Sequence, residues 1–420
     1  MRGYPSIIRG TVKAPQSKSF AIRLLFLSFS SKVKLRDLEP SEDVVDAINA
    51  IKLLGVKEVG KNEFEREDKV VEKIRGSTFI KASATTLRFL LSFLSVLGGE
   101  NVKIRVGETL KRRPITELVE ALKDQVNIEQ EDDVIRVNGK LNENYVKISG
   151  SESSQYISGF ILAFAQTEGG VIEITSNEPT SKSFIYLTID LINSLGGDIK
   201  IEDDGKTIIV KKASLKQYDN FVPGDYALAS FYAISSAVTH GEITIFNLPK
   251  PPKYFGDHSI IKILSDLGIT SIYNDGKWYV TNVETSPSRD LEINIKEAPD
   301  LAMSIASLIP LTKRIVLHDV KNLKIKESDR LKGIITTITS FGYDVKLPSD
   351  NTLVIENNNS TKVSATIDCN NDHRIAMMAT PLIMKFGGEI RNAECVNKSN
   401  PKFWQDILSL GGKIEIAPSL

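Results

Sequence analysis

One pattern recurs along the chain: an apolar helix, then a glycine, then a β-hairpin. In residues 181–197, apolar side chains recur at helical spacing, and Gly196 follows as a C-terminal stop. The segments 199–204 and 206–211 flank Gly205, which predicts two strands joined by a tight turn. This order of elements constrains the fold because it repeats.

Five further copies follow the same order at near-constant spacing. The last large apolar residues of the predicted helices lie 68 to 74 residues apart, and they are Leu54, Leu122, Leu195, Leu267, Phe341 and Leu410. The copy at Leu122 lacks the glycine stop, and further hairpins are predicted at 274–276 and 349–351. Chance is the alternative, since Leu-Gly often ends a helix. Units of this size exceed the common solenoid repeats and predict two globular domains of three α/β units each.

The composition excludes several classes of protein. The 53 basic and 53 acidic residues cancel, whereas a nucleic-acid binder or acidic-membrane binder usually shows a basic excess. Two cysteines without metal-ligand spacing indicate a reducing compartment, and four histidines without an HExxH motif disfavour a zinc site. The first ten residues lack an apolar signal core, and the apolar run 89–97 is too short to span a bilayer. Boundaries between units are expected at 11–15 and 221–225.

Eight polar and cationic segments lie beside predicted helix starts and turns, where ligands are commonly bound. They are 14–23, 81–90, 111–115, 150–155, 298–303, 322–331, 371–377 and 397–402. A helix start offers free N–H groups and a positive dipole end, which favour an anion. Each segment has an ordinary alternative, such as a capped surface helix, a solvated basic turn, a capping carboxylate at Asp300 or a buried, hydrogen-bonded His373. Their recurrence at similar points of the repeated units favours a shared anion site.

Taken in order, these segments resemble the 5-enolpyruvylshikimate-3-phosphate (EPSP) synthase family from Lys18 to Lys398. The matching residues are Lys18, Ser19, Arg23, Arg113, Pro114, Ser153, Ser154, Gln155, Ser181, Lys182, Asp300, 326–330, 371–374 and Lys398. The Lys-Glu-Ser-Asp-Arg and Asn-Asp-His-Arg motifs are the most specific of these.

The resemblance implies an α/β fold of two domains, each built from three repeated βαβαββ units of the inside-out α/β barrel type. It places residues 1–13 and 225–420 in the first domain, 14–224 in the second, and the active site in the inter-domain cleft. The implied reaction transfers the enolpyruvyl group of phosphoenolpyruvate to the 5-hydroxyl of shikimate 3-phosphate by addition–elimination and releases phosphate. It belongs to aromatic amino acid biosynthesis. A cytoplasmic monomer is expected, with these two substrates as its partners and without cofactor, metal, nucleic acid or membrane.

The resemblance also implies roles for individual residues. Asp300 accepts the hydroxyl proton, Glu327 donates a proton to C3, and Lys18 stabilises the departing phosphate. The implied ligands of phosphoenolpyruvate are Lys18, Ala84, Arg113, Gln155, Arg330, Arg374 and Lys398. Those of shikimate 3-phosphate are Lys18, Ser19, Arg23, Ser153, Ser154, Gln155, Ser181, Asp300, Asn322 and Lys326. The substrates together carry roughly five negative charges, which explains the concentrated cations and predicts domain closure as the gate.

The sequence departs from the family pattern at two positions. Ala82-Ser83-Ala84-Thr85 stands where Asn-Ala-Gly-Thr is usual, so a methyl group replaces a hydrogen beside the phosphoenolpyruvate pocket. In the family this change is linked to weak binding of glyphosate, and we predict reduced sensitivity. Phe184 stands where tyrosine is frequent.

Two alternative functions have to be weighed. The related transferase that acts on UDP-N-acetylglucosamine typically carries a loop cysteine, which 106–114 lacks. A non-catalytic anion-binding protein of the same fold has no use for the carboxylates of Asp300 and Glu327.

Overall fold

The structure is a computed structural model that describes residues 1–202, 205–283 and 287–417. The chain divides into two compact units. The discontinuous unit comprises Met1–Pro15 and Pro223–Leu420, and the continuous unit comprises Gln16–Val222. None of the helices in the described ranges has both the length and the apolar character that crossing a membrane requires.

The strands are short and distributed along the whole chain. In chain order they are β1 (Arg2–Tyr4), β2 (Gly10–Lys13), β3 (Val33–Arg36), β4 (Lys57–Gly60), β5 (Glu63–Glu65), β6 (Ser77–Ile80), β7 (Gly99–Val106), β8 (Val126–Glu131), β9 (Val134–Gly139), β10 (Tyr145–Ile148), β11 (Gly170–Ile174), β12 (Asp198–Glu202), β13 (Thr207–Lys211), β14 (Tyr218–Phe221), β15 (Glu242–Phe246), β16 (Thr270–Asn274), β17 (Lys277–Thr281), β18 (Asp290–Asn294), β19 (Arg314–His318), β20 (Asp344–Ser349), β21 (Thr352–Glu356), β22 (Ala365–Asp368), β23 (Gly388–Arg391) and β24 (Lys413–Glu415).

Helices alternate with these strands. They are α1 (Lys18–Leu27), α2 (Glu42–Leu53), α3 (Ala84–Leu97), α4 (Glu108–Lys111), α5 (Thr116–Leu122), α6 (Gln155–Ala165), α7 (Lys182–Ser194), α8 (Tyr226–Val238), α9 (Ile260–Asp266), α10 (Leu301–Ala306), α11 (Arg330–Ser340), α12 (His373–Phe386) and α13 (Phe403–Ser409). Short 3₁₀ helices cover Asp257–Ser259, Ile309–Leu311, Lys321–Ile325 and Ala393–Lys398.

Within the described residues, the strands form six four-stranded sheets with one common topology. The continuous unit holds the orders β14-β3-β5-β4, β6-β7-β9-β8 and β10-β11-β13-β12. The discontinuous unit holds β2-β15-β17-β16, β18-β19-β21-β20 and β22-β23-β1-β24. In every sheet the first two strands are parallel and the remaining pairs are antiparallel. The predicted α/β fold, with three repeated units in each half, is confirmed.

The predicted helix ends are confirmed as well. Five of the six marker residues directly follow a helix as its C-terminal cap, and Leu122 is the last residue of α5. The glycine after each of the five has φ between 84° and 100°, which glycine adopts without the strain of a side chain. Of the predicted strand 199–204, positions 203 and 204 lie outside the described residues.

Each unit has its own apolar core. In the continuous unit α3 and α6 pack together and are buried on nearly all sides, as expected for helices that are apolar all round. Gly159 permits this contact, because a Cβ there would lie 2.7 Å from Ser92 Oγ and 3.1 Å from Phe89 Cα. In the discontinuous unit α8 and α12 take the corresponding central place. Both units thus present the N-terminal ends of buried helices, where the predicted site residues lie.

Candidate active site

The predicted site residues fall into two sets, one in each unit. The continuous unit carries Lys18, Ser19, Arg23, Ala84, Arg113, Ser153, Ser154, Gln155 and Ser181, and the discontinuous unit carries Asp300, Asn322, Lys326, Glu327, Arg330, Arg374 and Lys398. In both sets most members stand at or next to the first residue of a helix.

Helix α1 begins directly at the first predicted lysine. Ser17 caps the helix, since its hydroxyl accepts a hydrogen bond from the Phe20 N–H at 3.3 Å. Lys18 is the first helical residue, and its Nζ lies 3.2 Å from Asp43 Oδ2 in a partly exposed ion pair. An anionic ligand of Lys18 would therefore compete with this carboxylate.

Arg23 is buried, with 1% of its surface exposed. Its Nε donates to Thr188 Oγ1 at 2.8 Å, and its Nη1 donates to the Ser19 carbonyl at 3.0 Å. Its Nη2 lies 3.5 Å from the carbonyl of Phe184, the residue at the position where tyrosine is frequent. In this conformation Arg23 joins α1 to α7, and its predicted contact with shikimate 3-phosphate stays a prediction.

A buried carboxylate organises the turn before α3. Asp46 accepts hydrogen bonds from the N–H groups of Lys81, Ala82 and Ser83 at 2.8 to 2.9 Å. Ser83 then caps α3, and Ala84 is its first residue. The turn is thus fixed by backbone contacts, so the departure from the family pattern at 82–84 leaves the helix start intact.

Gln155, the first residue of α6, connects three of the predicted segments. Its Oε1 accepts a hydrogen bond from Arg88 Nη1 at 2.8 Å, and its Nε2 donates to Thr85 Oγ1 at 2.7 Å. The other arm of Arg88 donates to the Pro114 carbonyl at 3.1 Å. The segments around Ala84, Arg113-Pro114 and 153–155 therefore converge, and Arg113 itself is exposed beside this junction.

Arg88 lies within the predicted segment 81–90, but the sequence assigned it no place in the site. The feature that could have revealed this role is the position of Arg88, four residues after the first residue of a mostly apolar helix. A buried arginine in that position needs polar partners beyond its own helix.

Ser181 stands next to the serine-rich turn of residues 150–154. It precedes α7 and has a left-handed backbone with φ of 52°. The Thr180 hydroxyl donates to the Ser151 carbonyl at 2.7 Å, and its N–H donates to the Gly150 carbonyl at 3.0 Å. These bonds bring Ser181 to the same end of the unit as Ser153 and Ser154, at the start of α6.

In the discontinuous unit, Arg330 holds three carboxylates at once. It is 2% exposed, and its Nε lies 3.0 Å from Asp372 Oδ2. Its Nη1 lies 3.1 Å from Asp300 Oδ1, and its Nη2 lies 2.6 Å from Glu327 Oε2. Arg374 adds a longer ion pair of 3.6 Å to Asp300. The two predicted proton-transfer residues are thus joined through one guanidinium.

Asp300 does not serve as a helix cap. It precedes α10, yet its side chain makes no capping hydrogen bond and points to Arg330 and Arg374 instead. The capping-carboxylate alternative is therefore wrong. Burial alone would raise the pKa of Asp300, but Arg374, Arg330 and Lys326 hold the pKa below its ordinary value.

Asp372 was inside a recognised motif without an assigned role. It caps α12 by accepting the Arg374 N–H at 3.0 Å, and its Oδ2 also accepts the Ser328 hydroxyl at 2.8 Å. It is fully buried. Asp372 therefore supports both Arg330 and the start of α12.

Two further carboxylates were missed altogether. Burial raises the pKa of Asp225, and it raises the pKa of Asp257 more strongly, with the charges of Asp300 and Asp225 adding to the effect. Both interact with the Arg374 guanidinium, whose own pKa they help to raise. Asp225 is the last residue of the predicted boundary at 221–225, whereas no pattern in the sequence pointed to Asp257.

The remaining members lie on exposed turns. Asn322 belongs to the 3₁₀ helix Lys321–Ile325, Lys326 follows it, and Lys398 ends the 3₁₀ helix Ala393–Lys398.

Arg374 is 8% exposed, and its Nη1 is buried without a hydrogen-bond partner among the described residues. The cations Arg374, Arg330 and Lys326 of this unit therefore surround the Asp300 carboxylate.

Repeated sheets, helix N-termini and paired cations and carboxylates together define a class of protein. They are the features expected of an enolpyruvyl transferase, an α/β protein that binds anions and transfers protons. The sequence profile of the family "EPSP synthase (3-phosphoshikimate 1-carboxyvinyltransferase)" matches residues 4–407. The chain belongs to this family.

Relatives agree with that assignment, and a solved structure shares the fold. The chain is 45% identical over 418 residues to a 3-phosphoshikimate 1-carboxyvinyltransferase of Saccharolobus islandicus, covering 99% of both chains. It is 47% identical over 413 residues to the protein of that name from Sulfurisphaera tokodaii, covering 98% of both chains. An EPSP synthase structure from Acinetobacter baumannii has the same fold, with a TM-score of 0.76, 20% identity and coverage of 98% of both chains.

Proposed function

We propose that this protein transfers the enolpyruvyl group of phosphoenolpyruvate to the 5-hydroxyl of shikimate 3-phosphate and releases phosphate. The relatives that carry this activity in their name align over 98% or more of the chain. The observation that carries the proposal in the structure is the joint ion pairing of Asp300 and Glu327 with Arg330. A site that only bound anions would gain nothing from two carboxylates held at its centre.

The reaction needs an acid and a base that exchange roles. In the addition step, the 5-hydroxyl oxygen attacks C2 of phosphoenolpyruvate and loses its proton, while C3 gains a proton. In the elimination step C3 loses a proton and the C2–O bond to phosphate breaks, which leaves a vinyl ether. We assign Asp300 as the acceptor of the hydroxyl proton and Glu327 as the donor to C3, both of them groups of the kind that general acid–base catalysis uses.

The charges around Asp300 suit an acceptor that is activated by its substrates. The lowered pKa of Asp300 keeps its carboxylate ionised at neutral pH, although such a carboxylate is a weak base. Anionic substrate groups that pair with Arg374 and Lys326 would weaken the cationic field. The pKa of Asp300 would then rise toward the range in which a general base is effective.

We propose that residues of each unit bind anionic groups of the substrates. In the continuous unit, Lys18, Arg113 and the N–H groups at the start of α6 are suited to phosphate or carboxylate oxygens. In the discontinuous unit, Nη1 of Arg374 has no hydrogen-bond partner among the residues that the structure describes, and Lys326 and Lys398 lie on exposed turns. These cations concentrate positive charge locally in a chain whose formal net charge is +0.

The individual assignments remain predictions. They include Ser19, Arg23, Ser153, Ser154, Gln155, Ser181 and Asn322 for shikimate 3-phosphate, and Ala84, Arg330 and Gln155 for phosphoenolpyruvate. The reaction transfers an enolpyruvyl group and releases phosphate without net oxidation or reduction, so it calls for no redox cofactor. A cytoplasmic location and a monomeric state complete the proposal.

Phosphate release from phosphoenolpyruvate tests the proposal directly. We expect release with shikimate 3-phosphate and none with UDP-N-acetylglucosamine or with phosphoenolpyruvate alone. Asp300→Asn and Glu327→Gln should retain shikimate 3-phosphate binding but lower turnover by a factor of about 100 or more, the usual contribution of a general acid or base. Asp344→Asn, on exposed β20 of the same unit, is the matched control.

The outcomes separate the alternatives. Release that depends on UDP-N-acetylglucosamine would assign the chain to the related transferase. Near-normal turnover of either carboxylate variant would remove that residue's assigned role. Binding of both anions without phosphate release would favour a non-catalytic protein.

A further inference from the structure

The two cysteines of the chain meet at one backbone carbonyl. Cys369 follows β22 and is buried, whereas Cys395 lies in the 3₁₀ helix Ala393–Lys398 and is partly exposed. The Cys369 thiol donates to the Asn392 carbonyl at 3.0 Å, and the Cys395 N–H donates to the same oxygen at 3.0 Å. The thiol of one residue therefore lies beside the backbone of the other.

A second pair of contacts closes the arrangement. The Cys395 thiol lies 3.8 Å from the Asp372 carbonyl, and the Asp372 N–H donates to the Cys369 carbonyl at 2.9 Å. The two thiols also interact with each other, and each is the largest cause of the other's pKa shift. Because these backbone contacts hold the two cysteines side by side, a small movement can bring the sulfur atoms to the bonded separation of about 2.0 Å.

The segments joined by these contacts carry residues of the proposed site. Asp372 holds Arg330 and starts α12. The 3₁₀ helix that contains Cys395 ends at Lys398. A covalent change at the two sulfurs would therefore reach both Asp372 and Lys398 through only a few backbone bonds.

We propose that Cys369 and Cys395 are an oxidation site that forms a reversible intrachain disulfide with a hydroperoxide as oxidant and thereby lowers the enzyme's activity. The effect on activity rests on the proposed function, whereas the disulfide does not. One thiolate attacks the peroxide O–O bond, which gives a sulfenic acid and releases hydroxide or alkoxide. The second sulfur attacks the sulfenic sulfur, expels water and completes the disulfide. Two thiols are oxidised, and the peroxide is reduced to water, or to water and an alcohol.

The local chemistry supports this reaction. The hydrogen bond between the thiols lowers the pKa of Cys369 and raises that of Cys395, so Cys369 is the sulfur that is more readily present as the nucleophilic thiolate. Cys395 is partly exposed, and a small peroxide can approach the pair from its side. A resolving thiol in contact favours the disulfide over further oxidation of the sulfenic acid.

Closing the disulfide replaces the thiol contacts to the Asn392 and Asp372 carbonyls. Asp372 and the 3₁₀ helix are then held by a covalent bond in place of two weak hydrogen bonds. Because Arg330 and Lys398 depend on these segments, we expect the oxidised enzyme to show a several-fold lower kcat/KM for phosphoenolpyruvate. Dithiothreitol should restore the original value.

The experiment treats the folded, full-length chain with hydrogen peroxide and follows intact mass, free thiols and phosphate release. We expect loss of two hydrogen atoms, disappearance of both thiols, a crosslinked peptide pair and the kinetic change. Cys369→Ser, Cys395→Ser and the double variant should show neither the crosslink nor the reversible kinetic change. The double variant also reveals any effect of methionine oxidation.

Each result decides one part of the proposal. Thiols that stay reactive, or that oxidise without a crosslink, would overturn the disulfide site. A crosslink without kinetic change would overturn its effect on activity, as would an equal kinetic loss in the double variant. If the untreated chain released no phosphate, the proposed function would fail, while the mass measurement would still decide whether the disulfide forms.

Discussion

Replacing Glu117 with glutamine is predicted to stabilise the protein at neutral pH. Glu117 lies in the first turn of α5, where its N–H donates to Glu152 Oε2 at 2.9 Å. Its Oε1 accepts the Ser151 N–H at 3.1 Å. The remaining oxygens, Glu117 Oε2 and Glu152 Oε1, are buried without a hydrogen-bond partner among the described residues. Both side chains are carboxylates, so their buried oxygens can only accept hydrogen bonds, and neither side chain can donate a hydrogen bond to the other.

The magnitude follows from those unsatisfied oxygens. A buried acceptor without a partner costs about 1–3 kcal/mol, and a glutamine amide supplies the missing N–H. Because both side chains remain partly exposed, solvent screens part of this cost, and we expect a gain of about 1 kcal/mol. For a unit of this size, that raises Tm by about 2–4 °C.

The gain should depend on pH with a definite sign. Burial, with the Glu152 charge adding to it, raises the pKa of Glu117 above its ordinary value of 4.5. A carboxyl group whose pKa is raised in the folded state makes its full contribution to stability when the pH is below its ordinary pKa. This contribution is lost as the pH rises through the raised pKa of the folded state. The advantage of Glu117→Gln should therefore be largest at neutral pH and vanish in acid below the ordinary value.

Urea unfolding of Glu117→Gln and the parent chain, at neutral pH and at about pH 4, measures this difference. Glu120→Gln is the control, because Glu120 is exposed on the same helix and pairs with exposed Lys123. A destabilised Glu117→Gln at neutral pH, or a gain that persists in acid, would refute the reasoning.

Two further predictions concern the site. Asp372→Asn should lower the free energy of unfolding by about 1–3 kcal/mol, because it weakens the charged hydrogen bonds to buried Arg330 while Asp300 and Glu327 still pair with that guanidinium; a change in urea unfolding no larger than that of Asp344→Asn would contradict this. Ala84→Gly should strengthen inhibition by glyphosate, because it removes the methyl group at the first residue of α3; an unchanged inhibition constant in the phosphate-release assay would show that Ala84 is not the cause of any tolerance.

Features with local causes could be predicted from the sequence. The helix that ends before Gly196 and the hairpin at 274–276 depend on residues within one turn of the signal. These glycine stops and hairpin turns predicted the repeated unit and therefore the fold class.

Contacts between distant segments could not be predicted in the same way. Arg330 meets Asp300 and Asp372 from 30 and 42 residues away, and no periodic pattern relates the three. The motifs showed that these residues belong together, but not that one guanidinium joins them. The Glu117–Glu152 contact and the position of Asp257 likewise depend on how loops approach one another. β1 is too short for its own pattern to reveal its partners.

The pairing of the first two strands sets an order for assembly during synthesis. β1 completes a sheet otherwise made by β22, β23 and β24, and β2 pairs with β15. The continuous unit, by contrast, is complete once Val222 has left the ribosome. At about 5–20 residues per second, β2 would wait roughly 10–50 s for β15, and β1 would wait roughly 20–80 s for the last of its partners, β24. During synthesis the chain therefore contains one completed unit and two opening strands whose edges are still unpaired. Chaperones can bind these unpaired strands at the amino terminus.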